Sequence, residues 1–111
     1  SGYGRVLEAL MFVSDHYHSQ IEVSDLAETA QLSVSQLQRE FSRLFGITPS
    51  LYIREVRVGA ARHLLESSDR SLSDIAHACG FYDQSHFTRY FKLSTGLSPS
   101  KYRQRFQSIH K

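Results

Sequence analysis

Ser35, Gln38, Arg39 and Ser42 stand at i, i+3, i+4 and i+7 spacing, which puts them on one face of a helix opposite Leu37 and Phe41. A second set, Ser85, Thr88, Arg89 and Lys92, has the same spacing and lies opposite Phe87 and Phe91. Neither face contains an acid. Gln and Arg carry two-pronged polar ends that match the major-groove edges of adenine and guanine, and Ser and Thr reach bases or phosphates. One such face alone is better explained as ordinary solvated helix surface. Two of them with Arg at matched positions, each after a helix-and-turn pattern, favour a reader of nucleic acid.

Other reactive side chains form no comparable set. Asp15-His16-x-His18 suggests a metal site, yet histidines two apart on a helix point in different directions, so these read as surface residues at a helix end. The single Cys79 excludes an internal disulfide and a Cys-rich zinc module, and it aligns with Ala30 on an inward face, where an inert buried thiol is expected. No three nucleophilic or acid–base groups are brought to one pocket by their spacing, so neither an enzyme nor a cofactor is expected. One free thiol also suits a reducing, cytoplasmic setting.

The elements that hold the two faces are duplicated. Ser24-Asp25-Leu26-Ala27 recurs as Ser73-Asp74-Ile75-Ala76, and Leu37-Gln38-Arg39-Glu40-Phe41 faces Phe87-Thr88-Arg89-Tyr90-Phe91. Gly46, Pro49, Ser50 and Tyr52 likewise face Gly96, Pro99, Ser100 and Tyr102. The offset grows by one residue between Ala76 and Ser85, a stretch that carries Gly80 and reads as a longer turn.

Helical periodicity runs throughout. A first helix over roughly 3–18 is expected to turn Val6, Leu7, Leu10, Met11 and Tyr17 inward, and a short one over about 23–31 to bury Leu26, Ala27 and Ala30. Ser33-Val34-Ser35-Gln36 is a capping-box pattern opening a helix that ends near Gly46, with Leu37, Phe41 and Leu44 as its apolar stripe. Thr48-Pro49 starts a long helix to about Ser67 that should bury Leu51, Tyr52, Val56, Leu64 and Leu65. Ser71, Asp83 and Ser98-Pro99 open the remaining three. Gly59 falls inside the long helix, where glycine costs about 1 kcal/mol against alanine, so close backbone packing or a hinge is expected there. The fold class is therefore all-α: seven helices forming two helix-turn-helix subdomains, about 5–48 and 68–108, joined by a connecting helix over about 49–67, within one domain over 1–111.

With 111 residues, 41% hydrophobic and 22% charged, the chain has a globular composition suited to a single small domain. Its net charge of +2 is unevenly spread. Residues 1–34 hold one base and five acids, whereas Gln84 to the end holds six bases and no acid, a distribution suited to a polyanion. No apolar run approaches the roughly 20 residues of a membrane span, and Ser1-Gly2-Tyr3 shows neither a signal peptide nor an initiator Met, as expected of an excised segment.

The pattern resembles the DNA-binding domain of the AraC/XylS family of bacterial transcription regulators. It is carried by Asp25-Leu26-Ala27, Leu37-x-x-x-Phe41, Gly46-x-x-Pro49-x-x-Tyr52 and Arg57-x-x-x-Ala61-x-x-Leu64-Leu65. The longest block is Ile75-Ala76-x-x-x-Gly80-Phe81-x-x-x-Ser85-x-Phe87-x-Arg89-x-Phe91-Lys92-x-x-x-Gly96-x-x-Pro99-x-x-Tyr102-Arg103. The resemblance implies two recognition helices in successive major grooves of double-stranded DNA and regulation that is more often activation. It further implies contact with RNA polymerase and an effector-binding or dimerisation domain elsewhere in the full-length protein. Its base-reading positions fall on Ser35, Gln36, Gln38 and Arg39 and on Gln84, Ser85, His86 and Arg89. Ser35 departs from relatives with an aromatic or basic residue there, which implies weaker or more selective readout, and Tyr82 replaces a small polar turn residue, which bears on the cap that follows. Phosphate contacts are expected from Arg43, Arg54, Thr88 and Lys92. A connecting helix of about 18 residues is about 27 Å long, near the roughly 34 Å between successive major grooves, so an asymmetric site with two boxes about 10 bp apart is expected. A helical protein-interaction module is the rival reading.

Overall fold

The computed structural model describes residues 2–110; Ser1 and Lys111, named above for the chain's start and its late run of bases, lie outside the described residues. Seven helices and no strand occur among the described residues: α1 (Gly2–His16), α2 (Val23–Ala30), α3 (Val34–Phe45), α4 (Pro49–Ser67), α5 (Leu72–Ala78), α6 (Gln84–Thr95) and α7 (Pro99–His110). They form two compact units that meet within α4, between Val56 and Arg57.

Short polar side chains set the helix starts. Ser33 Oγ accepts the Gln36 N–H at 3.1 Å while Gln36 Oε1 accepts the Ser33 N–H at 2.9 Å, which closes the capping box. Thr48 caps α4 through the Leu51 N–H at 3.1 Å, Ser71 caps α5 through Asp74 at 3.0 Å, and Ser98 caps α7 through Lys101 at 3.2 Å. A second box, Glu22 with Asp25, opens α2. Gly46 and Gly96 end α3 and α6 in the left-handed conformation.

Unit one buries Val6, Ala9 and Val13 of α1, Leu26, Ala27 and Ala30 of α2, Leu37 and Phe41 of α3, and Ile53 of α4. Unit two buries Val58, Ala61 and Leu65 of α4, Ile75 and Ala76 of α5, Cys79 and Phe81 of the turn, and Phe87 and Phe91 of α6. Val58, Ala61 and Leu65 repeat the spacing of Val6, Ala9 and Val13, so the duplication reaches one helix further back than Ser24. Tyr52 packs edge-on against Phe41 at 5.7 Å, and Tyr102 against Phe91 at 5.3 Å.

Two inward faces differ from expectation. Leu7 and Met11 are exposed, because α1 turns the small Ala9 inward instead, between Val6 and Val13. Along α4 the buried residues are Pro49, Ile53, Val58, Ala61 and Leu65, while Leu51, Tyr52, Val56 and Leu64 are half-buried. The helix serves a different core at each end, so no single stripe runs its length. A Cβ at Gly59 meets nothing within 4 Å, so close packing does not account for that glycine.

Candidate nucleic-acid interface

The second helix of each helix-turn-helix pair, α3 after α2 and α6 after α5, turns its polar face to solvent. Burial of Leu37 and Phe41 fixes the rotation of α3, and Ser35, Gln36, Gln38 and Arg39 are consequently exposed. Burial of Phe87 and Phe91 does the same for α6, leaving Gln84, Ser85, His86 and Arg89 exposed. Gln84, Ser85, Thr88 and Arg89 line one open depression of about 490 Å³ on the α6 surface, which gathers four of the expected contacts in unit two.

The remaining sites are held in different ways. Gln36 gives one lone pair of Oε1 to the helix cap, which leaves both amide donors free for a base. Arg43 pairs with Glu40 at 2.6 Å; an exposed pair of this kind is worth under about 1 kcal/mol and yields readily to a phosphate. Arg54 is half-buried on α4 and Lys92 is exposed on α6. The guanidinium of Arg89 lies 5.6 Å from the centre of the Tyr90 ring.

At the start of α6, Asp83 Oδ1 accepts the His86 N–H at 2.8 Å, and His86 Nδ1 lies 3.1 Å from the same oxygen. The His86 backbone N–H and then its ring hold the Asp83 carboxyl below the usual carboxylate range. Exposed Tyr82 stands edge-on to His86 at 5.4 Å and does not disturb the cap. The trace of this cluster in the sequence is the i, i+4, i+8 spacing of Tyr82, His86 and Tyr90. Cys79 is buried, and desolvation pushes its thiol up to about 11, which leaves it protonated and inert. Among the described residues no group of three or more His, Cys, Asp or Glu side chains is placed to hold a metal ion.

Residues 26–105 match the helix-turn-helix domain profile, and with the two exposed second helices this defines the class: the chain belongs to the AraC/XylS-type helix-turn-helix family. Among curated relatives it is 38% identical over 100 residues to the HTH-type transcriptional activator RhaS of Klebsiella pneumoniae (strain 342), covering 90% of this chain and 36% of the relative. The RhaS of Enterobacter sp. (strain 638) is 34% identical over the same coverage. The chain thus spans about 36% of the length of these relatives. Among solved structures, the DNA-binding domain of AdpA, a global transcriptional factor in complex with a target DNA, superposes with a TM-score of 0.89 at 32% identity, covering 94% of each chain. A transcriptional regulator with an AraC-type DNA-binding domain from Chromobacterium violaceum gives 0.87 at 28% identity, covering 94% of this chain and 93% of that one.

Proposed function

We propose that this chain is the sequence-specific DNA-binding part of a bacterial transcription activator, with α3 and α6 entering successive major grooves of double-stranded DNA. The observation that carries the reading is the pair of acid-free faces held outward by matched core residues, on a frame shared with a protein solved on its target DNA. Ser35, Gln38, Arg39, Gln84, Ser85, His86 and Arg89 read bases, with Gln36 contributing through its amide donors. Arg43, Arg54, Thr88 and Lys92 hold phosphates, together with the free N–H groups at helix starts. No catalysis is assigned to the chain. Contact with RNA polymerase, a further effector-binding or dimerisation domain in the full-length regulator and a cytoplasmic location belong to the same reading, supported by relatives named as transcriptional activators.

Random-site selection on duplex DNA tests this. An enriched two-box sequence is expected, bound with an affinity that falls steeply with salt, by about 0.9 in the log–log slope for each phosphate neutralised. Absence of any enriched sequence, or affinity indifferent to salt, removes the DNA reading in favour of an apolar protein interface.

A further inference from the structure

Gln36 and His86 occupy the same place in the repeat, three residues after the N-cap of α3 and α6, and the structure uses them differently. Gln36 turns back and spends its Oε1 on the Ser33 N–H. His86 docks its ring on the cap instead, with Nδ1 3.1 Å from Asp83 Oδ1. Asp83, its carboxyl held below the usual range by His86, is ionised at neutral pH and accepts hydrogen bonds only. A nitrogen at that distance from an acceptor-only oxygen carries hydrogen. In its neutral form the imidazole has a single N–H, and with that hydrogen on Nδ1 the Nε2 atom, across the ring from the cap, keeps its lone pair. Tyr82 and Tyr90, with ring centres 5.4 and 6.0 Å away, flank the imidazole and hold its plane. Asp83, Tyr82 and Tyr90 are titratable groups that face it, from the turn before α6 and from α6 itself.

We infer that Asp83 is a positioning residue for base recognition. By holding the His86 proton on Nδ1, it presents Nε2 to the groove as an acceptor and selects a base with an exocyclic amine at one position of the second box. Adenine N6 and cytosine N4 supply that donor in the major groove, whereas guanine O6 and N7 and thymine O4 set an acceptor against the lone pair. This rests on the proposed reading of DNA by α6.

The discriminating variant is Asp83→Ser, which gives unit two the cap residue that unit one already has at Ser33. Serine ranks with aspartate as an N-cap, so the helix start survives while the anionic partner of Nδ1 is removed. Long-range proton–nitrogen correlation spectra of the intact chain at alkaline pH should show His86 protonated on Nδ1 in the wild type and on Nε2 in Asp83→Ser. On duplexes varied through the second box, the wild type should prefer an amine-bearing base about tenfold at one position. That preference should vanish in both His86→Ala and Asp83→Ser, while Arg89→Ala relaxes a different position. A wild-type ring protonated on Nε2, or a His86-dependent preference that survives Asp83→Ser, overturns the assignment alone. A wild-type chain that selects no duplex overturns both the assignment and the DNA reading beneath it.

Discussion

Arg103 closes the end of α4. Its Nη1 donates to the Arg70 carbonyl at 2.7 Å, its Nη2 to the Ser68 carbonyl at 3.0 Å and its Nε to the Leu65 carbonyl at 3.3 Å. Leu65 lies in the last turn of α4, where carbonyls lack intrahelical partners, and Ser68 and Arg70 follow the helix; no glycine comes directly after Ser67, so the guanidinium ties this helix end and the segment beyond it from α7. Two of the three bonds have ordinary lengths. A hydrogen bond from a charged donor is worth about 1.5 kcal/mol net at the low end, and the carbonyls regain water when the side chain is cut away, so Arg103→Ala should cost about 2–3 kcal/mol. For a unit of this size that is a drop of roughly 10–20 °C in the melting of unit two. Thermal unfolding by circular dichroism gives the magnitude, and hydrogen exchange at the amides of α5 and α6 locates it. Arg103→Lys supplies a point charge for one carbonyl and should recover less than half of the loss. A loss below about 1 kcal/mol for the alanine variant, or full recovery by lysine, refutes the claim that the fork geometry holds α4 and α7 together.

Arg89→Ala should remove about 1–3 kcal/mol of discrimination at one base pair of the second box, whereas Lys92→Ala should weaken operator and random DNA alike and lower the salt slope by about one; site selection and salt titration separate the two. Gly59→Ala adds a Cβ that meets nothing within 4 Å, so it should stabilise α4 by about 1 kcal/mol in thermal melts. An affinity loss confined to two-box duplexes would identify Gly59 as a hinge. Gln31, at φ 57, holds a left-handed backbone in the turn where the second copy places Gly80 at φ 87, so Gln31→Gly should raise stability by about 1 kcal/mol, read from the melting temperature. The bond from Arg5 Nη1 to the Gln31 carbonyl at 2.8 Å uses only the backbone of residue 31 and survives that change.

What the sequence made legible was what depends on neighbours along the chain. Ser33, Thr48, Ser71, Asp83 and Ser98 bond to N–H groups three residues on, so each cap can be read from a window of four. The faces of α3 and α6 were equally clear, because each has two large apolar residues four apart and polar residues opposite. α1 is harder: Val6, Leu7, Ala9, Leu10, Met11 and Val13 are apolar on several sides, and only packing against its neighbours selects Ala9 over Leu7. The inward residues of α4 were obscured for another reason, since its two halves answer to two cores. In the candidate interface, residue types identified His86, but whether its ring caps, stacks or stands free depends on Asp83 and the two tyrosines together.

The duplication itself carries an expectation about the target. Core positions are kept in kind between the copies: Leu37 and Phe41 match Phe87 and Phe91, and Leu26, Ala27 and Ala30 match Ile75, Ala76 and Cys79. The extra residue of the second copy falls in the turn before α6, where Gly80 takes the left-handed conformation, so Phe87 and Phe91 keep their register. Outward positions are kept only in part. Gln38 is matched by Thr88, Ser42 by Lys92 and Gln36 by His86, while Ser35 is matched by Ser85 and Arg39 by Arg89. Two frames with the same core and different readers suit two unlike boxes, and the one two-pronged reader they share is arginine, whose preferred partner is guanine. The selected site should therefore have a guanine at the equivalent position of each box, with differing bases around it. Arg39→Ala and Arg89→Ala should each relax that position in one box only. Boxes without a common guanine, or variants that relax non-equivalent positions, would show that the two helices enter their grooves differently despite the matched cores.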